Sequence, residues 1–156
     1  MLRPDAGRDW VALDASPLPV ADAIAWATTP ASGAVASFVG VVRDHSEGRP
    51  DVTGITYEAY PEIAERRMVA IAAGARTRWP AVDRLALLHR IGDVELSEPS
   101  VVVVVSSAHR PEAFAAAQFC IDTLKASVPI WKREHWSGGS AWVECASAAR
   151  PVEESA

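Results

Sequence analysis

The chain has 156 residues, 49% hydrophobic and 22% charged, which suits one compact domain with its own core. A formal net charge of -5 and a sequence pI near 5.3 give no global electrostatic reason to bind nucleic acid or an anionic membrane, so any anion site must be local. The start MLRPDAGRDW has no basic segment followed by an apolar run, and the longest apolar stretch, Val101 to Val105, is far too short to span a bilayer, so the cytoplasm is the expected location.

In chain order, Asp9 to Asp14 reads as a short strand and Pro19 to Trp26 as a short helix closed near Thr28-Thr29-Pro30, because proline disfavours helical geometry in the residue before it. Ala34 to Val42 is rich in β-branched and small residues and predicts a buried strand. The polar, turn-rich segment 44–51 that follows is a candidate mobile lid. Ile55, Tyr57 and Ala59 alternate with Thr56, Glu58 and Tyr60, the period-2 pattern of a strand with two different faces. Pro61 suits a first helical turn, and Glu62 and Glu65 suit its positive end. Ala64, Met68, Ile71, Ala72, Ala75 and Trp79 then form an apolar stripe before Pro80.

Val82 to Ile91 and Ser100 to Ser107 predict two further strands, the second buried on both faces because five valines run in succession. A helix opening at Pro111 carries Phe114, Ala117, Gln118, Ile121 and Leu124 along one side as far as about Ala126. Trp131 to Trp136 and Ser140 to Ala146 read as a closing hairpin across Ser137-Gly138-Gly139. The order β-α-β-β-α-β-β-α-β-β, with no internal repeat, predicts an α+β fold with a mainly antiparallel sheet and helices on one side. A single domain is expected over residues 1–156, with a short tail from about residue 147.

Cys120 and Cys145 match no metal or redox spacing and read as buried small apolar residues. Thirteen of the 15 basic residues are arginine, leaving Lys125 and Lys132 as the only lysines. Lysine, unlike arginine, can be desolvated into a nucleophile or proton-transfer group, so the pair hints at amine chemistry.

Three clusters can carry chemistry. In Phe38-Val39-Gly40-Val41-Val42-Arg43, a glycine inside a strand marks a bulge or a close approach, and the terminal arginine can fork onto a phosphate or carboxylate. A solvated Arg43 beside a bulge is the structural alternative. In Ser106-Ser107-Ala108-His109-Arg110-Pro111, a strand meets a helix start, where free N–H groups and the helix dipole favour anions; His109 could equally be a simple cap. In Lys125 through Glu134, Lys125 could answer a helix C-terminus, whereas Lys132 shares a strand face with Ile130 and Glu134, which would pair its amine with a carboxylate. Together these cations, one imidazole and two amines suit an anionic substrate and acid–base or amine chemistry.

The three clusters, in this order, with Tyr57-Glu58-Ala59-Tyr60-Pro61, Arg78-Trp79-Pro80, His89-Arg90-Ile91-Gly92 and Trp142-Val143-Glu144, resemble the catalytic large subunit of the molybdopterin synthase family. The resemblance covers about residues 10–146. It implies an α/β hammerhead fold and a homodimer that binds one small ubiquitin-like sulfur-carrier subunit at each end, forming a heterotetramer. It also implies sulfur transfer from the carrier's C-terminal Gly-Gly thiocarboxylate to cyclic pyranopterin monophosphate, giving molybdopterin, with no metal and no bound cofactor.

Carried over by position, Lys125 would be the principal catalytic amine and Lys132 its assistant. Val41, Val42, Arg43, His109, Arg110, Arg133 and Glu134 would contact substrate, with room for one cluster to arrive across the dimer, and Phe38 would form the pocket wall or carrier interface. One departure is Ala146, where a basic residue is expected; phosphate would then fall to Arg43 and Arg110, or to Arg150. Two other readings are a phosphate-ester or acyl-transfer enzyme that uses a lysine nucleophile without a partner, and a non-catalytic interaction module.

Overall fold

A computed structural model of the chain describes residues 1–143, so Glu144, Cys145, Ala146 and Arg150 lie outside the described residues. The described elements run β1 (Asp9–Asp14), α1 (Val20–Ala27), β2 (Ala34–Val41), β3 (Val52–Ala59), α2 (Pro61–Arg78), β4 (Val82–Arg90), β5 (Gly92–Glu95), β6 (Pro99–Ser107), α3 (Arg110–Ser127), β7 (Ile130–Trp136) and β8 (Gly139–Val143). The strands form two four-stranded sheets, β1-β4-β6-β2 and β5-β3-β7-β8. Every pairing is antiparallel except β1 with β4, so the α+β, mainly antiparallel expectation holds.

The valine run of β6 explains the layering. Val101, Val103 and Val105 point into a core shared with Met68, Ile71 and Ala75 of α2 and Cys120, Ile121 and Leu124 of α3. Val102 and Val104 point the other way, onto Ala23, Trp26 and Ala27 of α1. Both faces of this sheet are therefore covered, and the expectation of helices on one side is corrected: α1 occupies the opposite face. From Val101 to Val105 every side chain of β6 is apolar and buried, so this stretch of the sheet has no solvated face. Each fully buried valine contributes roughly 1.5 kcal/mol or more relative to exposure.

The apolar stripe of α2 is buried as its spacing predicts, through Ala64, Met68, Ile71, Ala72 and Ala75. The second sheet is stacked differently. Its register sets Ile55 opposite Glu134, Tyr57 opposite Lys132 and Ala59 opposite Ile130, so these six side chains share one face. That face, the Gly40 end of β2, the His89 end of β4 and the last turn of α3 converge. No helix among the described residues is long and apolar enough to cross a membrane.

Candidate active site

A cavity of about 580 Å³ opens at this convergence, lined by Phe38, Val41 and Arg43 from the β2 end, Tyr57 and His89 from β3 and β4, and Lys125, Lys132 and Glu134. Both sequence signals at Gly40 are present. The register of β2 against β6 shifts between Gly40 and Val41, and a Cβ at Gly40 would stand 2.6 Å from Val101 Cγ1. The bulge turns the strand end outward and delivers Arg43, whose Nε donates to the His45 carbonyl oxygen at 2.9 Å.

Glu134 is the organising anion. Its carboxylate is almost wholly buried and accepts hydrogen bonds at Oε2 from Ser46 (2.8 Å) and from Arg49 Nη1 (2.9 Å), while Lys132 Nζ stands 3.8 Å from Oε1. Burial alone would raise the carboxyl pKa, but the bonds from Ser46 and Arg49 and the charges of Lys132 and Arg49 outweigh it, and the net shift is downward. The Lys132 amine thus stands beside a fixed carboxylate. Arg49 also stacks over Trp136 at 4.3 Å, so segment 44–51 is tied to β7 at two points.

Lys125, one turn from the end of α3, lines the same cavity and makes no ion pair or hydrogen bond among the described residues. Among the described residues it gives the pocket, with Arg43 and Lys132, three cations against the single carboxylate of Glu134, which favours a phosphate or another anion. Cys120 does not line the cavity, and burial pushes its thiol up to about 12, so it offers no thiolate there. Among the described residues no cluster of His, Cys, Asp and Glu could hold a metal ion.

The remaining sequence-selected residues are placed elsewhere. Val42 is buried beside the cavity, its N–H donating to the Glu98 carbonyl and its carbonyl accepting from Ser97. Arg133 lies on the outer face of β7, donating to Ser140 at 2.9 Å and facing Trp142, because alternate residues of a strand point to opposite sides. His109 and Arg110 are exposed at the start of α3, with His109 at the N-cap position. The fifteen residues from Arg110 to Lys125 rise roughly 22 Å along the helix, so within one chain the two clusters are not one site.

His89, Tyr57 and Ser46 also line the cavity but were not among the residues selected from the sequence as site residues. A lone histidine in an apolar strand gives no signal of its own. Only the shared parity of Ile55 and Tyr57 with the Lys132 face could have pointed to Tyr57.

Residues 13–127 match the family model described as MoaE protein. A molybdopterin synthase catalytic subunit of Taeniopygia guttata is 42% identical over 142 residues, covering 91% of this chain and 91% of the relative. One from Nostoc sp. is 44% identical over 136 residues, covering 86% and 82%. The crystal structure of molybdopterin synthase from Staphylococcus aureus superposes with a TM-score of 0.81 at 32% identity, covering 86% of this chain and 96% of the other. With its cavity of amines and arginine at the junction of two sheets, this chain belongs to the MoaE protein family, that of the molybdopterin synthase catalytic subunits.

Proposed function

We propose that the chain, acting as one domain in the cytoplasm, transfers sulfur to cyclic pyranopterin monophosphate and so makes molybdopterin. The donor is the C-terminal Gly-Gly thiocarboxylate of a small ubiquitin-like carrier protein. The observation that carries this reading is a cavity that has, among the described residues, two amines, an arginine and a carboxylate but no cysteine: such a pocket can bind an anion and move protons, which fits sulfur brought from outside. The relatives are named as catalytic subunits, which fits a second subunit as that source.

Each transfer breaks the carrier's acyl C–S bond and forms a C–S bond on the pterin side chain in place of a C–O bond, whose oxygen leaves as water or stays on the phosphate as its ring opens. Water takes the acyl group, and the carrier leaves as a carboxylate. Two such rounds complete the dithiolene. Lys125 is the catalytic amine, and Lys132, held beside Glu134, stabilises negative charge as it develops. Arg43 holds the substrate phosphate, with Val41 and Phe38 as the apolar wall against the pterin or the carrier's extended C-terminus. His109 and Arg110, too far away in the same chain, complete the anion site of a second copy in a homodimer, which with two carriers makes a heterotetramer. Arg133 and Val42 serve from outside the cavity, through the outer face of β7 and the backbone of the β2 end.

The test mixes purified protein with thiocarboxylated carrier and cyclic pyranopterin monophosphate and assays the dithiolene product beside a Lys125→Ala variant. Product from the parent and not from the variant supports the reading. A folded parent that makes none with verified carrier rejects it and turns attention to a partner-free enzyme.

A further inference from the structure

Among the described residues, His89 and Glu134 are the two buried ionisable side chains that line the cavity, and the reading above uses only Glu134. His89 is 5% exposed and lies near the end of β4, paired with Leu13 of β1 and Val101 of β6. It has the parity of Leu85 and Leu87, which face α2 and α3, so its ring lies on the same side of the sheet as Lys125. Its Nδ1 is 2.8 Å from the carbonyl oxygen of Arg90. A carbonyl can only accept, so Nδ1 carries the proton and Nε2 keeps a free lone pair. Tyr57 packs edge-on against the ring, with centroids 5.2 Å apart.

Burial pulls the His89 pKa down from 6.5 to about 4; the bond to Arg90 works the other way, and the Lys125 charge adds to the fall. The imidazole is therefore neutral at physiological pH. The groups around it are Lys125 on α3, Lys132 and Glu134 on β7, Tyr57 on β3, and Arg43 and His45 beyond the end of β2.

Lys125 lacks what Lys132 has. The Glu134 oxygens are taken by Ser46, Arg49 and Lys132, and the Ser100 hydroxyl donates to the Gly40 carbonyl. The Lys125 amine thus sits on a flexible four-carbon stem with three donors and no anion assigned to it. His89 Nε2 has no hydrogen-bond partner among the described residues.

We propose that His89 is a positioning residue, whose free Nε2 is the acceptor that the Lys125 ammonium reaches when its flexible stem turns toward the sheet, so that the ring aims that amine into the cavity. The inference rests on the reading of Lys125 as the catalytic amine. No proton passes to the ring. The imidazole serves as a fixed, uncharged acceptor, which orients a cation without cancelling the positive field that binds the anion.

The experiment compares the parent with His89→Gln, which keeps an acceptor near the Nε2 position, and His89→Leu, which has none. Reductive methylation across a pH series, read by peptide mass spectrometry with Lys132 as internal reference, gives the titration midpoint of Lys125. A hydrogen bond to the charged form favours that form, so His89→Leu should lower the midpoint by roughly half a pH unit or more while His89→Gln leaves it in place. In the synthase assay, kcat should fall about tenfold in His89→Leu with KM little changed, and recover in His89→Gln.

An unchanged Lys125 midpoint in His89→Leu, or equal kcat losses in the two variants, overturns the proposal. If the variants do not fold, the imidazole nitrogen spectrum of the parent is compared with that of Lys125→Met: a shift of the Nε2 resonance supports the contact, and an unmoved resonance overturns it. Full activity in Lys125→Ala would instead remove the reading on which the inference rests, while the methylation midpoint and the nitrogen spectrum still decide whether His89 holds Lys125.

Discussion

Arg49 Nη1 stands 2.9 Å from Glu134 Oε2, an ion pair that joins the 44–51 segment to the floor of the cavity across 85 residues of sequence. Glu134 is nearly buried and Arg49 about one-third exposed at the side chain, so breaking the pair leaves a poorly solvated group behind.

Glu134→Gln keeps the shape but removes the charge that fixes Ser46, Arg49 and Lys132. The expected result is a stability loss of about 1–3 kcal/mol in chemical denaturation and faster amide exchange confined to segment 44–51. Because the folded carboxyl pKa is lowered, this contribution is present above the ordinary carboxylate range and is lost as pH falls through the folded value. Exchange in 44–51 that matches the parent would show that the segment is held by something other than this latch.

Lys125 and Lys132 differ in what surrounds them, and arginine replacement separates their roles. Lys132→Arg keeps a cation beside Glu134 and should retain measurable activity, since charge is what the position supplies. Lys125→Arg keeps the charge but loses the amine, and should cost about 100-fold or more in kcat if proton transfer or bond formation occurs there. Both lie at least partly in solvent, so melting should change little. Equal rates for the two arginine variants in a single-turnover assay would remove the distinction.

Gly33 sits where β2 approaches the strand-to-helix turn that carries His109 and Arg110. Its N–H donates to the Ser107 carbonyl at 3.0 Å, and an added Cβ would sit inside van der Waals contact of the Ala108 carbonyl oxygen. The obstacle is backbone, which cannot swing aside as a side-chain tip can. Gly33→Ala should therefore destabilise by roughly 1–3 kcal/mol and displace the start of α3, measurable as a lower melting temperature and as amide shifts at residues 108–111. If the anion site depends on His109 and Arg110 from a second copy, substrate KM should rise in the same variant.

Most of the fold was legible because burial imposed regular patterns on it. The valine run announced a strand covered on both faces, and the alternation through Ile55, Tyr57 and Ala59 announced a strand with two different faces, of which the Ile55 and Tyr57 side lines the cavity. β5 was missed: it has four residues, begins at Gly92 with φ +81°, and buries only Val94, too little for a period to emerge. The parallel pairing of β1 with β4 and the position of α1 depend on how the chain crosses the sheet, which local pattern does not encode.

In the site, Lys132 and Glu134 were readable together because strand residues two apart share a face. Arg133, their sequence neighbour, points away for the same reason. His109 and Arg110 were grouped with the lysines by charge, and the length of α3 separates them. His89 was invisible as a site residue because its role depends on Lys125, 36 positions later, being brought to the same cavity by the fold.

Stability should report on His89 directly. Its folded pKa of about 4 lies below the ordinary 6.5, so between these values the unfolded chain binds more protons than the folded one. Stability contributed by the neutral ring is therefore fully present above about pH 6.5 and is lost as pH falls towards 4, amounting to about 3 kcal/mol across the window. Carboxylates with lowered pKa, Asp14 and Glu134 among them, add a fall of the same sign, but mostly below the ordinary carboxylate range. His89→Gln removes only the imidazole term. The parent should lose stability from pH 6.5 to 5 in chemical denaturation, and the variant should be nearly flat over that interval, converging on the parent's slope only in stronger acid. Parallel curves for the two proteins from pH 6.5 to 5 would mean that the ring is solvated or already protonated in the folded state, and the neutral acceptor assigned to Lys125 would be lost with it.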